Sequence, residues 1–295
     1  MQLQERYRII EKLGGEQGKK FGDVFLGEEK ASGNKVVLKS LGKNSKNEQI
    51  IERLKQEATF TFKHPGLPQI IELFESAQEL ILIKSYQKGI PLDEFWKNLP
   101  KKNRLPFLKE IIKELIPILN HLKENNVVHC DIKPSNLLID KNQDSFKVAL
   151  IDFGLAHRIG EPTNRKTLFA LGYAAPELIL NRLDLVDHRT DQFALGILIW
   201  KLFTGQLPLV HPNPSIYTNL QLTHPLPDHS SLPKGIFPIL TKMCSKHVFR
   251  TAPNLLSKEE VELSLKNGIE SRYAEMNQLF DELNAVHDKR NWFGF

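Results

Sequence analysis

The chain has 295 residues, 41% hydrophobic and 25% charged, with a formal net charge of +5, a composition ordinary for soluble globular protein and long enough for two separate cores. Its lysines are spread throughout and do not form basic blocks with stacked aromatics, which argues against nucleic-acid binding. Two cysteines, Cys130 and Cys244, exclude a disulfide framework and a cysteine metal cluster. With no charged-then-apolar leader and no lipidation signal at Met1-Gln2-Leu3, the expectation is a cytoplasmic protein with no membrane partner.

In chain order, Leu13 to Gly27 reads as a glycine-rich hairpin containing Gly14, Gly18 and Gly22; glycines let backbone amides approach phosphate oxygens with no Cβ in the way. Lys35-Val36-Val37-Leu38-Lys39 alternates as a half-buried strand should, and Asn47 to Lys63 reads as a helix. Leu80-Ile81-Leu82-Ile83-Lys84-Ser85-Tyr86-Gln87 is an apolar run that ends in polar residues. Val127 to Ile139 places Asp131, Lys133 and Asn136 on one loop between short, β-prone apolar runs. Ala149-Leu150-Ile151-Asp152-Phe153-Gly154 then puts a second aspartate at the mouth of a strand that leads into a glycine. Further on, Asp191 opens a helix whose apolar run from Phe193 to Phe203 is too short to span a bilayer, with Gly205 and Pro208 as its stop. Met276, Leu279 and Leu283 stand at helical spacing near the end. No internal repeat or low-complexity tract stands out, and no appended domain is expected.

The two aspartate segments together suit phosphoryl transfer, in which catalysis is mainly positioning and charge neutralisation. Asp131 can accept or orient the proton of an attacking hydroxyl. Lys133, two residues on, can offer a point charge to the phosphoryl group in transit. Asn136 and Asp152 supply one neutral and one anionic oxygen, hard ligands that suit magnesium.

His129-Cys130-Asp131-Ile132-Lys133-Pro134-Ser135-Asn136 and Asp152-Phe153-Gly154 resemble the catalytic loop and the metal-binding motif of the eukaryotic-type protein kinase family, in its serine/threonine style. Ala175-Pro176-Glu177 and Val36-Val37-Leu38-Lys39 fit the same family in the same order. The resemblance implies an α+β, two-lobed fold. Residues 7–86 would form a small lobe of antiparallel sheet with one main helix, 87–286 a larger, mostly helical lobe, and 287–295 a tail, with ATP and Mg2+ held between the lobes. It implies transfer of the γ-phosphoryl group of ATP to a serine or threonine hydroxyl of a protein substrate. Lys39 would bridge the α- and β-phosphates and pair with Glu57 or, as runner-up, Glu52. Gly14, Gly18 and Gly22 would cover the phosphates, Val24, Val37 and Leu138 would sandwich adenine, and Ser85 and Tyr86 would form the hinge beside it. Asp131 and Lys133 would be catalytic and Asn136 and Asp152 would bind metal. Asp191 would hydrogen-bond the catalytic-loop backbone. Glu177 would pair with Arg272 in preference to Arg250, which makes 247–270 an insertion expected to be surface-exposed. Trp292-Phe293-Gly294-Phe295 would dock on the body of the domain.

Several positions depart from the family pattern. The middle glycine of the hairpin falls on Lys19 unless the loop carries about two extra residues and uses Gly18. Lys84 stands where an apolar or small side chain usually guards the nucleotide pocket, so it either pairs with Glu57 or turns to solvent. Cys130 replaces the arginine that receives a loop phosphate, so activity should not depend on phosphorylation of Thr163 or Thr167, the hydroxyl residues of the activation loop. If accessible, the Cys130 thiol would be a site of inhibition by oxidation or alkylation. Ala170 stands three residues before Tyr173 in place of a threonine whose hydroxyl would brace Asp131 and Lys133. The rival readings are a pseudokinase acting as a nucleotide-binding or scaffolding module, a small-molecule phosphotransferase, and an interaction domain with no nucleotide.

Overall fold

A computed structural model describes residues 3–13, 22–43, 48–142, 145–161 and 169–287. It divides into two compact units, Met1–Gly89 with Ala149–Gly154, and Ile90–Val148 with Leu155–Phe295.

The first unit begins with one helical turn, α1 (Leu3–Arg6), and is built on a five-stranded antiparallel sheet. Its strands are β1 (Tyr7–Leu13), β2 (Asp23–Glu29), β3 (Lys35–Gly42), β4 (Ile70–Glu75) and β5 (Glu79–Ser85), in the order β1-β2-β3-β5-β4. β5 lies between two neighbours, and its run Leu80-Ile81-Leu82-Ile83 is buried on both faces. Alternation along β3 and β5 sends Val36, Leu38, Ile81 and Ile83 to a core with Tyr7. Leu80 and Leu82 go to the opposite core, shared with Leu54 of α2 (Glu48–Glu57). Because Lys39 pairs with Leu82, and Lys84 lies two residues beyond Leu82, both lysines share the face that meets α2.

The helix expected to reach Lys63 ends at Glu57. Thr59 Oγ1 donates to the Gln56 carbonyl at 2.8 Å, and the chain then runs extended. Phe60 and Phe62, at two-residue spacing, are both buried, with Phe62 4.8 Å from Phe153 between ring centroids. A helix through this stretch would separate the two rings by about 200°, so burial of both overrides helix propensity. The expected start, Asn47, lies outside the described residues.

In the second unit β6 (Ile90–Pro91) leads into α3 (Leu92–Lys97) and the long α4 (Arg104–Glu124). β7 (Val127–Val128) follows, then β8 (Leu137–Lys141) and β9 (Phe146–Leu150), the last of which crosses into the first unit at Ala149. β6, β8 and β9 form a small sheet, and β10 (His157–Arg158) pairs antiparallel with β7. The remainder is helical: α5 (Pro176–Ile179), α6 (His188–Thr204), α7 (Pro214–Thr223), α8 (Ile236–Met243), α9 (Lys258–Glu270) and α10 (Met276–Asn284).

α6 is the central helix, buried continuously from Thr190 to Trp200. It begins three residues before Asp191 because Asp187 and Thr190 close a reciprocal capping box, and it ends at Gly205, whose φ of 82° suits glycine. Among the described residues no helix is long and apolar enough to cross a membrane.

Glu177 and Arg272 form a bidentate ion pair at 2.6 and 3.0 Å, both nearly inaccessible to solvent, while Arg250 is exposed. The 247–270 stretch is not purely a surface segment. Within it α9 turns Leu265 and Ile269 inward, one helical turn apart, and Leu265 packs with Leu222 and Phe249. A Cβ on Gly268 would stand 2.9 Å from the His247 nitrogen, so the helix rests directly on backbone. The charged side chains of α9 are exposed or half-buried, while Ser264 is buried with the inward face.

Candidate active site

The first unit carries a buried ion cluster. Lys39 Nζ lies 2.9 Å from Glu57 Oε2 and 3.0 Å from Asp152 Oδ1. Lys84 Nζ donates to the other Glu57 oxygen, Oε1. Glu57, at the last turn of α2, is 1% exposed. Burial raises the pKa of its carboxyl, but the ammonium groups of Lys84 and then Lys39 outweigh that effect and hold it below the usual carboxylate range. Burial likewise works against the Lys39 charge, yet Glu57 and Asp152 carry its pKa above the ordinary lysine value. Of the two glutamates considered as the partner of Lys39, Glu57 occupies that place, and of the two dispositions considered for Lys84, the ion pair is the one adopted.

Asp152 reaches this cluster through an unusual backbone conformation, with φ of +67°. Such a residue costs on the order of 1–3 kcal/mol and must be held by its surroundings. Phe153 supplies part of that hold by burying its ring against Phe60 and Phe62. This aromatic group is a component that the sequence analysis missed; its signal was the alternation of Phe60 and Phe62. Gly154 leaves room for the ions, since a Cβ there would stand 3.2 Å from Lys39 Nζ.

Val24 pairs across the sheet with Lys39, and Val37 with Lys84, so both valines share the lysine face and are half-buried. Gly22 adopts a φ of +96°, and a Cβ on it would collide with the Ser40 carbonyl at 2.4 Å, so glycine is required by the fold itself. Gly14 and Gly18 lie outside the described residues. At the expected hinge, the Ser85 amide already donates to the Gln69 carbonyl at 2.9 Å and the Tyr86 amide to the Lys35 carbonyl at 3.4 Å.

In the second unit the loop after β7 is tied to α6. Asp191 accepts the amides of His129 at 2.8 Å and Cys130 at 2.9 Å, as expected of the residue leading that helix. Burial raises the Asp191 pKa, with His129 and these two amides opposing. Asp131 is 5% exposed, and its Oδ2 accepts from Lys133 Nζ at 2.6 Å and from Asn136 Nδ2 at 2.9 Å. Asn136 Nδ2 also donates to the Asp131 carbonyl at 2.8 Å. Asp131 Oδ1 is buried with no hydrogen-bond partner. Leu138 is buried in β8, where it pairs with Pro91.

Cys130 has a φ of +61° and turns its sulfur inward, 3.6 Å from the Val128 carbonyl oxygen. Burial, reinforced by the Asp191, Glu177 and Asp131 carboxylates, pushes its thiol pKa well above the usual value. The condition for thiol-directed inhibition is therefore not met. Ala170 offers only its carbonyl, which accepts the amides of Tyr173 at 2.8 Å and Ala174 at 3.1 Å. Thr163, Thr167 and the terminal aromatics lie outside the described residues.

Among the described residues no group of three or more His, Cys, Asp or Glu side chains could hold a metal. The first unit offers the Asp152 carboxylate and the second, with Asn136 Nδ2 committed to Asp131, the Asn136 amide oxygen, each a hard oxygen of the kind magnesium takes. Few protein ligands, all of them oxygens, suit an ion that keeps waters and takes the rest of its shell from phosphate.

The profile of the protein kinase domain family matches residues 7–255. The chain belongs to the protein kinase domain family. It is 31% identical over 223 residues to the serine/threonine-protein kinase TIO of Arabidopsis thaliana, covering 73% of this chain and 15% of that protein. Over 224 residues it is 29% identical to the serine/threonine-protein kinase pkn2 of Myxococcus xanthus, covering 72% of this chain and 26% of that protein. The human serine/threonine-protein kinase D2 is 29% identical over 193 residues, covering 64% and 22%. The chain thus spans about a quarter or less of the length of these kinases.

Proposed function

We propose that the protein is an ATP-dependent serine/threonine protein kinase. The observation that carries this reading is the state of Asp131. One carboxylate oxygen is held by Lys133 and Asn136, while the other, Oδ1, is buried and unpartnered. A buried carboxylate oxygen without a donor is costly, and a substrate hydroxyl supplies the missing donor. Asp131 then orients that hydroxyl and accepts its proton, and Lys133 balances the charge that develops beside it. Lys39 binds the α- and β-phosphates, held in place by Glu57. Asp152 and Asn136 hold magnesium, which when bound neutralises phosphate charge. Val24, Val37 and Leu138 enclose adenine, Ser85 and Tyr86 lie beside it, and Gly14, Gly18 and Gly22 cover the phosphates.

Lys133 favours serine or threonine on a protein as acceptor. The kinase domain is assigned to residues 7–286, with small and large lobes at 7–86 and 87–286, in a cytoplasmic protein. Its activity does not wait for loop phosphorylation, because Cys130 presents no cation to a phosphate.

One observation favours a pseudokinase that binds nucleotide without transferring phosphate: Lys84 takes the second oxygen of the Glu57 carboxylate that holds Lys39. Transfer of labelled phosphate from ATP and magnesium to a generic serine/threonine substrate separates the readings. The native chain is expected to label serine or threonine, and Asp131→Asn and Asp152→Asn to lose at least about 100-fold in rate. Magnesium-dependent ATP binding with no label, weakened by Asp152→Asn, would establish the pseudokinase.

A further inference from the structure

Lys84 introduces a charge into the first unit that the roles above do not use. Its side chain is 8% exposed and projects from β5, an inner strand of the sheet. It lies diagonally across the sheet from Lys39, because Val37 pairs with Lys84 and Leu82 with Lys39. Both ammonium groups meet the Glu57 carboxylate, one on each oxygen. Glu57 is the last residue of α2, where the helix dipole disfavours a carboxylate, so the two cations offset both its burial and its position.

The charges decide what the arrangement can do. Lys39, Lys84, Glu57 and Asp152 contribute two positive and two negative charges. An apolar residue at position 84 would lower the net charge of these four side chains by one, from zero to minus one before any magnesium on Asp152 is counted. With Lys84 present the four charges cancel, so an incoming anion meets no net negative charge at Lys39.

We propose that Lys84 is a positioning residue for nucleotide phosphate: it holds Glu57 from β5, fixes the end of α2, and offsets one of the two carboxylate charges that surround Lys39. This rests on the nucleotide-binding part of the reading above and deepens it, since Lys84 need not touch nucleotide to act.

The test compares ATP with adenosine, which lacks the phosphates, by calorimetric titration of the full chain with magnesium. Lys84→Gln keeps a donor for Glu57 but removes the charge, and Lys84→Met serves as a second neutral variant should the first not fold. The expected result is that a neutral variant binds ATP about tenfold more weakly while adenosine affinity stays unchanged, and that Lys84→Arg restores ATP binding. Equal weakening of ATP and adenosine would reduce Lys84 to a structural role and overturn the proposal. So would an unchanged ratio of the two affinities, or a native chain that binds no ATP. Phosphate transfer measured on the same samples keeps the two readings apart: the expected ATP-specific loss in a chain that transfers nothing supports this inference and removes the kinase.

Discussion

Glu57 is a carboxylate buried almost completely and held by two ammonium groups, which makes it a pH-sensitive element of stability. Its folded pKa is depressed, so folding favours its charged form. The resulting stability is fully present above the unfolded value, about 4.3, and is lost as pH falls through the lower folded value. Urea unfolding followed from neutral pH to about pH 3 should therefore show a steeper acid loss for the native chain than for Glu57→Gln. Parallel curves would mean that Glu57 contributes nothing to the linkage. The ion cluster also marks the boundary of what the sequence could disclose. The alternation of β3 predicted where Lys39 points, and Glu57 was preferred to Glu52 there, but the sequence did not show where α2 stops. That was decided by Phe60 and Phe62, whose burial is a tertiary property. Lys84 left two options open for the same reason, since its partner comes from another element.

Among elements, α9 shows how composition can conceal a packed face. The stretch 247–270 reads as polar and charged, yet Leu265 and Ile269 recur at helical spacing and Leu265 joins Leu222 and Phe249 in a core. Leu265→Ala is expected to cost about 2–5 kcal/mol, whereas Leu263→Ala, on the same helix but 61% exposed, should stay within about 0.5 kcal/mol. Chemical denaturation of the two variants checks this, and equal effects would mean that α9 packs otherwise. The Arg272 assignment was legible because the helix after it repeats Met276, Leu279 and Leu283, all of which are buried. The burial of Cys130 was not legible. Its inward turn follows from a positive φ and from the two amides, its own and that of His129, held by Asp191, which comes 61 residues later in the chain.

For the molecule as a whole, the sequence carried the family better than the helix boundaries. The Asp131 and Asp152 motifs, their order, and the buried helix at Asp191 could be read because residue type and spacing are what carry the family resemblance there. Helix ends and burial could not, because they depend on packing between distant segments. One whole-chain prediction concerns control. With a buried thiol at position 130 in place of a cation, Thr163→Ala combined with Thr167→Ala should keep most phosphate-transfer activity, measured on a generic substrate. Loss of activity would show that the loop is controlled through another residue. The partition of the chain has a further consequence. Asp152 and Phe153 belong to the first unit although the rest of that unit ends at Gly89, on the far side of residues 90–148. A chain ending at Gly89 would keep Lys39 and Lys84 but lose the Asp152 carboxylate, and would leave Phe60 and Phe62 without the ring they pack on. The nucleotide half is therefore not a portable cassette: recombination that cut the gene anywhere between those two stretches would pass on an unbalanced set of charges, so the two halves must be inherited together.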